Sequence, residues 1–328
     1  MKTRTSRVLH ITQEKCGSQW VRDVLSAPEI VAISGHPHSG ISLNINACNR
    51  LEIPDHTFSG PIYGMNQWEW QYWKRPGDKA VVVLRDPRDL MISLMFSVLY
   101  SHVSDDRIDS RRRVLHDIPS DEKRVAYLIP SSIGTRLRMY RTWIDGVHED
   151  ALVLRYESLV ANQHAEFGKV FDWLGWKIPQ EILCAVVDRL SFEARSGRKP
   201  GATDKFSHYR RGVPGDWRNY FVRQNGEQWE RLYPGFLREI GYEESDDWWR
   251  DLPETLAGDT SGEPEGAGKV DPQAAMIEVL QNKQQQLQQG LVDKERVIQQ
   301  LLVEREAGKL SAGRKSFISR LSERLRGK

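Results

Sequence analysis

Residues 8–20 read VLHITQEKCGSQW, and the fold turns on how this stretch divides. Val8–Thr12 has the short β-branched character of a buried strand. Val21, Val24 and Leu25 then recur at helical spacing, so Lys15-Cys16-Gly17-Ser18-Gln19 forms the turn from strand into helix. Such a turn aims backbone N–H groups at one point, in front of the positive end of the helix dipole. An anion, most often a phosphate, is what it holds.

Outward from this turn, strand-like and helix-like segments alternate to about Asp251. The further strand candidates are EIVAI (Glu29–Ile33), PIYGM (Pro61–Met65), AVVVL (Ala80–Leu84) and ALVLRY (Ala151–Tyr156). Short, near-continuous apolar strands separated by helices predict a parallel sheet covered on both faces, an α/β three-layer core. Ligands of such sheets sit outside the carboxyl ends of the strands. Two basic residues emerge there, Lys15 after VLHIT and Arg85 after AVVVL.

Of the 328 residues, 39% are hydrophobic and 28% charged, ordinary material for one or two globular domains. The net charge of +2 gives no global field that argues for nucleic acid. Cys16, Cys48 and Cys184 lie at wide spacing, which suits a reducing compartment and gives no metal pattern. No apolar run is long enough for a signal peptide or a membrane span, so the expectation is a soluble cytoplasmic protein that needs no metal.

Residues 7–251 form the expected catalytic domain. A polar, Gly-rich linker follows at 252–271, within which ETLAGDTSGEPEGAGKV has no periodicity. A coiled coil is predicted over 272–307, with Ile277, Gln284, Leu291 and Ile298 at a and Leu280, Leu287, Lys294 and Leu301 at d. It implies a homo-oligomer; one solvated helix with a narrow apolar stripe is the plainer alternative. The basic tail, 308–328, places Phe317, Leu321 and Leu325 on one helical face, suited to weak contact with an anionic membrane or simply solvated.

Three motifs carry chemistry. In KCGSQW, Lys15 reaches a phosphate anhydride oxygen as a point charge, Ser18 adds a hydroxyl and Trp20 a flat face for a purine. It is not a Walker A loop, because the lysine comes first. In LRDPRDLMISLMF, Asp86 caps the next helix and Pro87 suits its first turn, whereas Arg85 and Ser93 need another explanation. An arginine fork with a hydroxyl suits a phosphomonoester. In HYRRGVPGDWRNYF, residues 208–221, two arginines followed by Gly212 and Gly215 read as a flexible basic loop able to fold over an anion.

In this order and spacing the motifs resemble the PAPS-dependent sulfotransferase family, whose donor is 3′-phosphoadenosine 5′-phosphosulfate. KCGSQW resembles that family's P-K-S-G-T-T-W loop, RDPRDLMIS its R-[ND]-P-[KR]-D-…-S segment, and YRRGVPGDWRNYF its R-K-G-x-x-G-D-W-K-N-x-F loop. LRYESL and LSFEA resemble the elements that surround the adenosine. The likeness covers roughly residues 7–245 and implies a P-loop NTPase-like sulfotransferase fold. Residue by residue, it implies Lys15, Gly17, Ser18 and Gln19 around the 5′-phosphosulfate and Trp20, Tyr156 and Phe192 around the adenine. Arg85, Ser93, Arg210, Arg211 and Gly212 would hold the 3′-phosphate.

The pattern breaks at the base. Cytosolic members of the family carry K-T-H at the end of a strand, the histidine being the base; here Tyr63, Gly64 and Met65 stand there. ISGHPHS, after the expected second strand, resembles an E-P-H-like sequence of glycosaminoglycan-type relatives, with His36 in place of a glutamate base. Histidine serves as a general base near neutral pH, so His36 is the expected base, although a loop histidine pair with no catalytic part explains His36 and His38 nearly as well. His10 reads as core. The expected activity is sulfuryl transfer from PAPS to a hydroxyl or amine of an acceptor, a glycan or a small molecule. Gly35–Asp55 and the aromatic run Gln67–Pro76 would border the acceptor. A catalytically silent nucleotide-binding module and a small-molecule kinase are the competing readings.

Overall fold

The computed structural model describes residues 6–45, 52–102, 106–144, 148–207 and 209–256. The predicted coiled coil, the basic tail and the linker beyond residue 256 lie outside the described residues. Five strands, β1 (Arg7–Thr12), β2 (Leu43–Asn44), β3 (Thr57–Tyr63), β4 (Lys79–Leu84) and β5 (Ala151–Arg155), form one sheet in the order β2-β3-β1-β4-β5. Every pairing is parallel. All six residues of β1 are buried, as are five of the six in β4. Strands buried on both faces are the middle layer of three, which is why they read as near-continuous apolar runs. The expected parallel α/β core is present.

The chain leaves β1 toward β2 and β3 on one side, then crosses to β4 and β5 on the other. Strand order therefore reverses at β1, and the crevice at the carboxyl ends of β1 and β4 is where such sheets bind ligands. From β1 the chain turns into helix α1 (Ser18–Leu25), which buries Ser18, Val21, Val24 and Leu25.

One expected strand is a helix. Residues 29–33 lie in α2 (Pro28–Ser34), where Pro28 suits the first turn, Glu29 sits at the positive end of the dipole and left-handed Gly35 closes the C-terminus. Only Ile30 of this segment is buried, and Ile33 is 42% exposed, which a strand covered on both faces would not allow. The edge strand β2 forms instead inside Gly35–Asp55, the segment expected to border the acceptor. The third strand begins four residues earlier than PIYGM, and Tyr156 opens a helix rather than ending β5.

Helix α3 (Gln67–Trp73) carries the aromatic run and is capped by Asn66, whose backbone N–H donates to Glu69 Oε2 at 2.6 Å. Trp70 is fully buried with its Nε1 donating to Asp150 Oδ1 at 3.2 Å, so at least this tryptophan is core. Helix α4 (Pro87–Phe96) starts directly after β4, with Asp86 accepting from the Arg88 N–H at 2.9 Å as its cap. Among the described residues, no helix is long and apolar enough to cross a membrane.

Candidate functional site

The turn after β1 is bent by two left-handed residues, Gly17 at φ 75° and Lys15 at φ 69°. A lysine there costs conformational energy that the surroundings must supply, a feature common at ligand clamps. The Arg85 Nη1 donates to the Lys15 carbonyl oxygen at 2.8 Å, tying the turn to the end of β4. Gly17 has a second reason to lack a side chain: a Cβ would lie 2.9 Å from the Tyr156 ring. The other face of the site is built from the same ring, with the Arg85 guanidinium 4.5 Å from its centroid. Lys15, Gly17, Arg85 and Tyr156 thus meet in one place.

Electrostatics identify further neighbours of Lys15. Burial, then Arg85 and Arg210, lower the Lys15 ammonium to about 8. Burial disfavours the charged form most, and the two neighbouring guanidinium groups add to it, because like charges disfavour one another. Arg210 reaches the cluster from the loop after residue 196. Backbone pairing crosses that loop: Gly201 and Asp204 donate backbone N–H to the carbonyls of Arg211 and Arg210 at 2.8 and 2.9 Å. Arg198 donates to the carbonyls of Ala202, Tyr209 and Arg210. Gly212, at φ +69°, lies so close under Phe192 that a Cβ would stand 2.4 Å from the ring.

Trp20 packs edge-on against Phe167 at 5.3 Å between ring centroids. The helix Phe192–Ser196 is drawn toward α1 by an ion pair between Arg195 and Asp23 at 2.7 Å. Trp20, Tyr156 and Phe192 therefore stand on elements that adjoin the turn. Ser18 shares a hydrogen bond of 3.1 Å with the hydroxyl of Tyr63, the first of the three residues in place of K-T-H. Ser93 lies two turns into α4, half-buried.

Four buried donors at this site have no hydrogen-bond partner among the described residues: Nε of Arg85, Arg210 and Arg211, and Nε1 of Trp20. A buried donor left unmade costs about 1–3 kcal/mol. The convergence of Arg85 and Arg210 on Lys15 fits a polyanion bearing hydrogen-bond acceptors.

His36 stands elsewhere. The Pro37 carbonyl accepts from Phe58 N–H at 3.0 Å, and Phe58 pairs with Val8, near the amino end of β1. The turn bearing Lys15 follows Thr12, and Val8 to Thr12 spans roughly 13 Å at the ordinary rise of a strand. His36 is 5% exposed, with Nδ1 donating to the Ser34 carbonyl at 2.9 Å and its ring on Trp176 at 5.3 Å. His38 donates from Nε2 to the Gly60 carbonyl at 2.7 Å and accepts from Gly40 N–H at 3.0 Å. His36 holds loop backbone near the amino end of the sheet, and His38 ties the same loop to Gly60 in the middle of β3. The premise that His36 shares an edge with Lys15 is corrected: α2, not a strand, precedes it, so it is not delivered to the carboxyl edge.

Several residues that support the site were not singled out in the sequence. Glu157 accepts the Asp86 N–H at 2.8 Å and the Tyr242 hydroxyl at 3.0 Å, fixing the end of β4. Arg88 is buried, paired with Asp86 and Glu243, with its guanidinium 3.7 Å from the Trp217 ring and 4.6 Å from that of Trp248. Asp89 accepts backbone N–H from Gly215 and Trp217 at 2.7 and 2.9 Å, and Asp216 pairs with both Arg210 and Arg211. Asp216 carried a local signal, a carboxylate just past two arginines and two turn glycines. Asp89 carried none.

The family model of the sulfotransferase domain matches residues 71–241, just over half of the chain. The chain belongs to the sulfotransferase-domain family. That match includes Arg85, Ser93, Tyr156, Phe192 and Arg210–Gly212, while the Lys15 turn precedes it and joins the site through the geometry above. Relatives of this sulfotransferase-domain protein include a 3-beta-hydroxysteroid sulfotransferase of Cavia porcellus, 21% identical over 167 residues, covering 47% of this chain and 54% of the relative. Sulfotransferase 2A1 of Homo sapiens is 22% identical over 172 residues, covering 47% and 55%. The chain spans about half the length of the curated relatives it matches. Among solved structures, mouse sulfotransferase SULT7A1 complexed with PAP is similar at a TM-score of 0.48 and 14% identity, covering 76% of this chain and 90% of that chain.

Proposed function

We propose that this sulfotransferase-domain protein moves a sulfuryl group from PAPS to a hydroxyl or amine of an acceptor. The observation that carries the reading is the convergence of Lys15, Arg85 and Arg210 at the carboxyl ends of β1 and β4, with Arg211 tied to Arg210 through Asp216. One phosphate group at the Lys15 turn and a second among the arginines match a nucleotide phosphorylated at both ends of its ribose. In the transfer, the acceptor oxygen or nitrogen bonds to sulfur as the sulfur–oxygen bond to the phosphate breaks. Lys15 meets the negative charge that this leaves on the phosphate oxygen. The acceptor's proton passes to a basic side chain or to water; the place of His36 near the amino end of β1 favours a group other than His36.

Incubation of the protein with a cell extract and labelled PAPS, followed by mass spectrometry, tests this directly. A labelled product that depends on Lys15 is expected. Its absence would favour a second reading, a silent nucleotide-binding module, which Met65 in place of a histidine and the remoteness of His36 support. PAP, at a hundredfold excess over its dissociation constant, should stabilise the protein by about 2.7 kcal/mol. Equal stabilisation by AMP would revive the kinase reading.

We also propose a homo-oligomer through residues 272–307, with the cytoplasm as its setting on the spacing of the cysteines. Truncation after Glu254 should lower the mass in light scattering; an unchanged mass would count against the coiled coil.

A further inference from the structure

Two positively charged side chains adjacent in sequence normally point apart. In this chain Arg210 and Arg211 are brought onto a single carboxylate: Asp216 takes Arg210 Nη2 on Oδ2 and Arg211 Nη1 on Oδ1. Its side chain is 1% exposed, and Asn219 Nδ2 donates to Oδ1 at 2.9 Å. The return of the chain that allows this uses left-handed Gly212 and Gly215. Asp89 then fixes where the carboxylate stands, because its two oxygens hold the N–H groups of Gly215 and Trp217 on either side of Asp216. Asp89 also lies 3.7 Å from Arg85, so the same α4 residue adjoins the third arginine.

We propose that Asp216 is a positioning residue for recognition of the 3′-phosphate: it gathers Arg210 and Arg211 onto one carboxylate and so fixes where the two guanidinium groups stand for the ligand. This rests on the reading of PAPS as donor. Asp216 spends both oxygens on the arginines and Asn219, and Arg210 Nη1 donates to the Tyr220 hydroxyl at 3.3 Å, so the arginine pair is held in place from within the protein. Without the carboxylate, the like charges of buried Arg210 and half-buried Arg211 repel and separate, and the paired donors are lost. Recognition of one phosphate then depends on a residue that does not touch it.

Isothermal titration with PAP and with AMP, on wild type and Asp216→Asn, tests the proposal. Asn keeps the shape and removes the charge. Wild type should bind PAP well ahead of AMP. In Asp216→Asn, the PAP dissociation constant should rise at least about tenfold and that of AMP by less than about threefold, since only the 3′-phosphate uses the arginine pair. A merely structural role would weaken both nucleotides alike and leave their ratio unchanged, which overturns the proposal. Tighter PAP binding in the variant also overturns it, since the carboxylate would then be a competitor of the phosphate. If wild type fails to discriminate PAP from AMP, the donor assignment itself fails, and the proposal with it.

Should Asp216→Asn lack a cooperative thermal transition, Asn219→Ala answers the same question from an exposed position. It removes the donor that orients the carboxylate, and should weaken PAP about two- to fivefold with AMP unchanged. An unchanged ratio of PAP to AMP in that variant overturns the proposal.

Discussion

Raising the pH from 7 to 9 should weaken nucleotide binding through one residue, Lys15. Burial, Arg85 and Arg210 lower its ammonium to about 8 in the free protein. The bound nucleotide brings anionic oxygens to the ammonium and so restores its proton. The sign follows: below pH 8 the free protein already carries the charge that binds the ligand, and above pH 8 it must take up a proton to bind. The charged fraction falls from about ten-elevenths at pH 7 to about one-eleventh at pH 9, a tenfold loss of affinity or about 1.4 kcal/mol. Other groups at the site hold their charge across this range, since arginine stays protonated and phosphate groups complete their second ionisation near pH 6. Calorimetry of PAP binding at pH 8.5, in two buffers of different ionisation enthalpy, should show uptake of about three-quarters of a proton. Lys15→Arg should abolish both the uptake and the pH slope, whatever it does to affinity at pH 7. Equal slopes in Lys15→Arg and wild type would refute the reasoning, because the titrating group would then be another.

Three further expectations rest on particular contacts. Gly212→Ala places a methyl group against the Phe192 ring and a Cβ in a left-handed conformation that costs roughly 1–2 kcal/mol; PAP affinity by calorimetry should fall about tenfold, and unaltered affinity would remove the contact from the site. His10 is fully buried with neither ring nitrogen partnered among the described residues, and burial followed by Arg22 lowers it to about 3. Between pH 6.5 and 3 the unfolded chain binds a proton there that the folded one does not, so stability falls by about 1.4 kcal/mol for each pH unit below 6.5. Between pH 7.5 and 4.5, urea denaturation should show wild type losing about 2.7 kcal/mol more than His10→Leu, and equal losses would contradict the burial of a neutral imidazole. His36→Ala should turn over acceptor at the wild-type rate across neutral pH, given its place at the amino end of the sheet. A hundredfold loss of turnover with unchanged PAP affinity would return it to the chemistry.

What the sequence determined by itself is what depends on neighbours a few residues apart. The division of VLHITQEKCGSQW into strand, turn and helix rests on apolar spacing and a glycine, and β1 and α1 fall where that spacing puts them. Asp86 and Pro87 likewise mark the start of α4, and Arg85 is left at the strand end in front of it. Even the misread segment carried its signal, Pro28 and Glu29 before the apolar residues and Gly35 after them, which outweighed the β-branched run. Tertiary structure alone decided which edge of the sheet each connecting segment reaches. His36 follows an apolar run just as Lys15 does, yet a helix rather than a strand precedes it, and its loop pairs with β3 at the level of Phe58. Asp89 and the 215–217 backbone meet across 126 and 128 residues of chain. No local spacing encodes such a contact, because it exists only once the sheet has brought the end of β4 beside the returning loop, where burial strengthens each charge and makes a partner necessary.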